Sequence, residues 1–252
     1  MNTFSILFRM EFKRFWTAGM IVFAVGIIGV SIIPSIVTIQ AGVVKDLSSM
    51  IVSTTGFINF FTFLIFSAAI VSADIKSGWL RTLLIRSVTR QEYLASKIAV
   101  VFISSLIVYV LAITSSVLVA AFDPKIVMKY DLAVSSAIMV LKIAQLLLLI
   151  ILSTMISCTA PGAFNAFFVY VWMSLSQLFE FLVTTKYWDV KWAVVLKDYI
   201  FPDGFEQAQQ AIISQQQSVP VTEILWGIAA LAFFFALTVQ LMNRVVVDTG
   251  SE

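Results

Sequence analysis

Six long apolar runs constrain this chain more than any other feature. They cover about residues 16–39, 50–73, 98–122, 132–158, 163–183 and 224–242. Each has the ~20 residues that a bilayer-spanning helix needs. The expected fold is an all-α polytopic membrane protein: a single transmembrane domain over residues 1–252 with six transmembrane helices. Apolar residues make up 60% of the chain and charged ones 12%, against about 45–50% and 25% in a soluble domain. Net charge is only +2, so nucleic acid is not implied.

Between the second and third runs lies residues 74–97, DIKSGWLRTLLIRSVTRQEYLASK, which holds five of the sixteen basic residues: Lys76, Arg81, Arg86, Arg90 and Lys97. A turn between two helices needs only a handful of residues. This one is patterned. Ile75, Trp79, Leu80, Leu83 and Leu84 share one face at helical spacing, with Lys76, Ser77 and Arg81 off it. Thr89-Arg90-Gln91-Glu92 reads as a capping box. The expectation is an amphipathic helix, a break near Ser87-Val88, and a newly capped helix rising into the third span. Such an element reads as a docking site, where the plainer alternative is a set of topology-fixing charges.

Here the chain resembles the type-2 ABC transporter permeases. Members commonly read Glu, then Gly-Thr-Leu, then Arg-Pro-Val-Ser-Arg, then Tyr-Leu and Lys. The matching positions are Asp74, Gly78-Trp79-Leu80, Arg86-Ser87-Val88-Thr89-Arg90, Tyr93-Leu94 and Lys97. Asp74 stands for the usual Glu and Ser87 for the usual Pro. The resemblance in span number and spacing extends over nearly the whole chain. It implies that residues 74–97 form the coupling segment fitting a groove of a separate ATPase subunit, with Gly78, Trp79, Arg81, Leu83, Leu84, Arg86 and Arg90 as ATPase-coupling residues. It also implies an export path between two permease subunits, the same or related chains, lined by spans one, two and five.

Residues 3–15 read as an interfacial helix, with Phe4, Phe8, Phe12 and Phe15 on one face and Arg9, Glu11, Lys13 and Arg14 mostly off it. A signal peptide is the alternative, but the apolar run that follows is too long for one. Basic residues near the span ends number nine on one side (Arg9, Lys13, Arg14, the five above and Arg244) and six on the other (Lys45, Lys125, Lys129, Lys186, Lys191 and Lys197). By the positive-inside rule both termini are expected in the cytosol, with the protein in the cytoplasmic membrane. The outer loop 184–222 carries a polar stretch, DGFEQAQQAIISQQQ, which reads either as a helix dipping toward an outer gate or as a surface loop.

Within the spans, Tyr170, Ser174 and Gln177 form one stripe on span five, and Asn59, Thr62, Phe63 and Phe66 form another on span two. They read as a translocation path for an amphipathic cargo, or equally as polar glue between helices. Lys142 and Glu180 are intramembrane charges, either paired with one another or snorkelling separately.

The chain has no histidine, a single cysteine (Cys158) and no G-x-x-x-x-G-K-[ST]. Zinc ligation, a serine–histidine pair and phosphate cradling are therefore not expected in it. No catalytic residue, metal or cofactor is assigned to this chain, and ATP and Mg would sit on the partner ATPase. Spans one to three do not visibly repeat in spans four to six, which argues against an inverted-repeat carrier. The alternative reading is a stand-alone channel or secondary carrier.

Overall fold

A computed structural model describes residues 3–40, 71–85, 88–121, 132–159, 171, 204–213 and 220–244. Among them the chain is helical, with no strand. In chain order the helices are α1 (Thr3–Phe15), α2 (Ala18–Gln40), α3 (Ser72–Lys76), α4 (Trp79–Ile85), α5 (Arg90–Ala121), α6 (Leu132–Thr159), α7 (Gly204–Ile213) and α8 (Val221–Arg244).

Three helices are long and apolar enough to cross a membrane: Arg90–Val119 within α5, Ala133–Thr159 within α6, and α8. They would be four if α1 and the first half of α2, which meet at 72°, count as one broken span. The expected spans 50–73 and 163–183 fall almost wholly outside the described residues.

The distribution of side chains inverts that of a soluble protein. Bulky aliphatics and aromatics point outward, among them Val22, Val25, Val110, Leu118, Leu225 and Phe233. Small hydroxyls are buried between helices, including Ser96, Ser116, Ser153, Thr154 and Thr238. Thr154 and Thr238 each return a hydrogen bond to the carbonyl four residues back, at 2.6 Å. Small polar residues at helix contacts with large apolar ones outside is the arrangement of helices packed in lipid.

α5 is the central helix, touching α1, α2, α6 and α8, while α6 and α8 make the most extensive pairing. The core joins Tyr93, Leu94, Val101, Val108 and Tyr109 of α5 to Leu146, Ile150 and Ile151 of α6 and Met242 of α8. The expected capping box starts α5. Glu92 N–H donates to Thr89 Oγ1 at 3.2 Å, and Thr89 N–H donates back to Glu92 Oε2 at 3.0 Å.

One expectation is corrected. The amphipathic helix over residues 75–84 is broken into α3 and α4 at Ser77-Gly78. Gly78 has φ +70°, a left-handed conformation that ends the first helix and is open to glycine at little cost. Within α1, Leu7 and Glu11 are buried and the helix packs along α5. Phe4, Phe8 and Phe12 form a row that continues to Trp16 just past the helix, ring centroids 6.3, 5.8 and 6.3 Å apart, while Phe15 meets Trp16 edge-on at 6.0 Å.

Candidate functional site

At one end of the bundle four charged side chains from three separate stretches meet. Helix α1 supplies Glu11 and Arg14 one turn apart. α3 supplies Asp74 in its first turn, and α5 supplies Tyr93 and Lys97 at positions i and i+4, one above the other. Lys97 Nζ lies 2.5 Å from Glu11 Oε2 and 2.6 Å from Asp74 Oδ2. Arg14 Nη1 donates to Asp74 Oδ1 at 2.6 Å, and Tyr93 donates its hydroxyl proton to Asp74 Oδ2 at 2.7 Å. The indole N–H of Trp79, on α4, donates to Glu11 Oε1 at 2.7 Å. The Arg14 guanidinium carbon also stands 4.8 Å from the centroid of the Trp79 ring, in cation–π range.

Both carboxylates are almost fully enclosed, at 2% and 3% side-chain exposure, whereas Lys97 is 12% and Arg14 41% exposed. Two buried acids are matched by two cations, so the cluster is neutral. Each acid also accepts a hydrogen bond from an aromatic side chain. This is the condition under which buried charge is tolerated. The cluster ties α1, the α3–α4 segment and the start of α5 into one unit.

A second tie joins the same end to the last helix. Arg90, at the start of α5, donates to the carbonyls of Met242 and Asn243 at 3.1 and 2.6 Å. Those are C-terminal carbonyls of α8 with no partner within their own helix, and a basic side chain there is favourable.

The remaining expected coupling residues divide by face. Leu83 is buried with Leu80, and Trp79 and Leu84 are half-buried against the same core. The apolar stripe therefore packs into the protein itself. Lys76, Arg81 and Thr82 are exposed on the opposite side. Arg86 lies outside the described residues, as do the path residues Asn59, Phe63, Phe66, Tyr170, Ser174 and Gln177.

Glu180 is outside them too. Among the described residues, Glu206 of α7 is near enough for its charge to act on Lys142. Residues 204–213 of the polar stretch are helical, as α7, and pack onto α6 and α8, with Phe205, Ala208 and Gln209 buried. A Cβ on Gly204 would come within 2.6 Å of the Glu223 carbonyl oxygen and 2.7 Å of the Gly227 nitrogen. Only glycine permits this approach of α7 to α8.

The burial of Glu11 was missed from sequence, because its place off the phenylalanine face marks it as a solvent residue. The one available signal was Arg14 one turn on, which is too common to single it out. Among the described residues no group of three acids or cysteines could hold a metal ion. No protein-family model matches the chain, and no curated protein matches it.

Proposed function

We propose that this chain is the permease subunit of an ATP-driven exporter of the type-2 ABC kind. Two such subunits would form the path and move an amphipathic cargo outward. A separate ATPase subunit, carrying ATP and Mg, would dock on the α3–α4 segment. The observation that carries this reading is the meeting of Asp74, Tyr93 and Lys97. These three positions of the resemblance are spread along residues 74–97, and they converge on one buried carboxylate, with Gly78 turning the chain between α3 and α4. A loop that merely linked two spans would need neither a buried acid nor a left-handed glycine.

On this reading the buried cluster holds α3 and α4 rigidly against α5, and Lys76, Arg81 and Thr82 face the ATPase. Force applied at that face reaches α5 through Asp74–Lys97 and α8 through Arg90. The test is purification through a tag on this chain, followed by assay of ATP hydrolysis. Wild type is expected to bring down a P-loop subunit. Arg81→Glu with Arg86→Glu is expected to insert normally and lose that partner, together with cargo-stimulated hydrolysis and export. A double variant that keeps the partner at wild-type yield and still exports refutes docking there. A chain that transports with no ATPase bound favours the stand-alone channel or carrier.

A further inference from the structure

The polar cluster around α7 lies where hydrocarbon is expected. α6 has 28 residues, a length of about 40 Å at 1.5 Å per residue. The hydrocarbon core is about 30 Å thick. Lys142 and Gln145 sit roughly 15–20 Å from the Leu132 end. Every placement of such a slab along α6 therefore encloses them. Glu206 comes with them, because Gln145 Nε2 donates to Glu206 Oε2 at 3.3 Å. Gln209 Nε2 donates in turn to Gln145 Oε1 at 3.3 Å.

Burial differs sharply within this group. Gln209 is 2% exposed, and Lys142 and Gln145 are half-buried, but Glu206 is exposed. A carboxylate at this depth is costly against lipid and is found facing a bundle interior or a water-filled cavity. Around it the bundle presents a different surface: Val140 on α6, at 64% exposure, and Leu225 on α8, at 60%, point outward as lipid-facing residues do.

We propose that Lys142, Gln145, Glu206 and Gln209 form a polar site facing a water-filled vestibule within the membrane, and that it receives an ammonium-bearing head group. Lys142 sits behind and Glu206 in front, so the site is neutral overall and presents its negative end to the vestibule. Gln145 bridges the two helices and holds the carboxylate in place, backed by the buried Gln209. The site assigns the polar end of the cargo to α6 and α7. As a cargo site it rests on the exporter reading. The vestibule does not.

The experiment uses full-length protein in proteoliposomes with the single cysteine removed (Cys158→Ala). Gln145→Cys and Glu206→Cys report from two different helices, and Val140→Cys is the lipid-facing control. Each is treated with impermeant methanethiosulfonate reagents, one cationic and one anionic, added to either face. Both reporters are expected to react faster than Val140→Cys. At Gln145→Cys the cationic reagent is expected to outpace the anionic one by roughly tenfold, the low end of electrostatic focusing in a cleft. Adding Glu206→Gln removes that preference, and sub-micellar dodecyltrimethylammonium slows modification of Gln145→Cys. If neither reporter outpaces the control, there is no vestibule. If they react without charge preference or protection, the ammonium assignment is wrong. No ATPase is present in these vesicles, so neither failure bears on the docking of that subunit.

Discussion

Replacing Lys97 by methionine keeps most of its unbranched apolar stem and removes the terminal ammonium that two buried acids share. In the variant, Asp74 retains Arg14 at 2.6 Å and the Tyr93 hydroxyl at 2.7 Å. Glu11 retains the Trp79 indole, and its nearest remaining cation is Arg14 at 3.9 Å. Two enclosed carboxylates then depend on one guanidinium that is 41% exposed. Removing one partner of a buried pair typically costs about 3–5 kcal/mol, because it leaves an uncompensated charge. Arg14→Met leaves Lys97 touching both acids and removes a half-exposed cation, so about 1 kcal/mol is expected. Charge balance also predicts a rescue, with Lys97→Met plus Glu11→Gln more stable than Lys97→Met alone. The assay is equilibrium unfolding of the full chain in mixed micelles, analysed as a double-mutant cycle. A Lys97→Met cost below about 1 kcal/mol, the range of exposed pairs, would refute the reasoning. So would a second substitution at Glu11 that lowers stability further.

Three further outcomes are expected. Gly78→Ala meets no neighbouring atom within 4 Å, so its cost is the left-handed backbone alone, about 1–2 kcal/mol; Gly78→Pro cannot adopt φ +70° and should cost more, both measured by the same unfolding assay. Gly204→Ala drives a methyl into backbone that cannot yield, so a loss of about 1–3 kcal/mol and protease cleavage of α7 are expected, where Ala208→Gly should leave α7 seated. Arg90→Ala removes both hydrogen bonds that its Nη1 makes to the end of α8, and faster amide exchange at residues 240–244 is expected, with a stability loss of about 1 kcal/mol.

Features set by neighbouring residues could be read from the sequence. The capping box at Thr89 and Glu92 requires only a spacing of three, and it forms as written. Leu80 and Leu83 could be assigned to a buried face because both lie within one short stretch. Gly78 was visible as a glycine, but the sequence does not show that Trp79 beside it meets Glu11, 68 residues away. Arg90 looks like a surface charge until the end of α8, 152 residues on, arrives beside it. The same holds for Lys142, whose electrostatic neighbour Glu206 belongs to a stretch that reads equally well as a surface loop. Ionic partners in a helical bundle are chosen by topology, and local periodicity carries no record of them.

The tie between Glu11 and Lys97 also orders the birth of the protein. Glu11 leaves the ribosome on the order of ten seconds before Lys97, at ~5–20 residues per second. Through that interval its carboxylate has no Lys97 to meet and no reason to leave water. α1 is made first, yet it can settle along α5 only once α5 has been synthesised and α3 has delivered Asp74. A nascent chain halted before Lys97 should therefore carry a loose, protease-accessible α1, and that helix should close within seconds of the lysine's emergence.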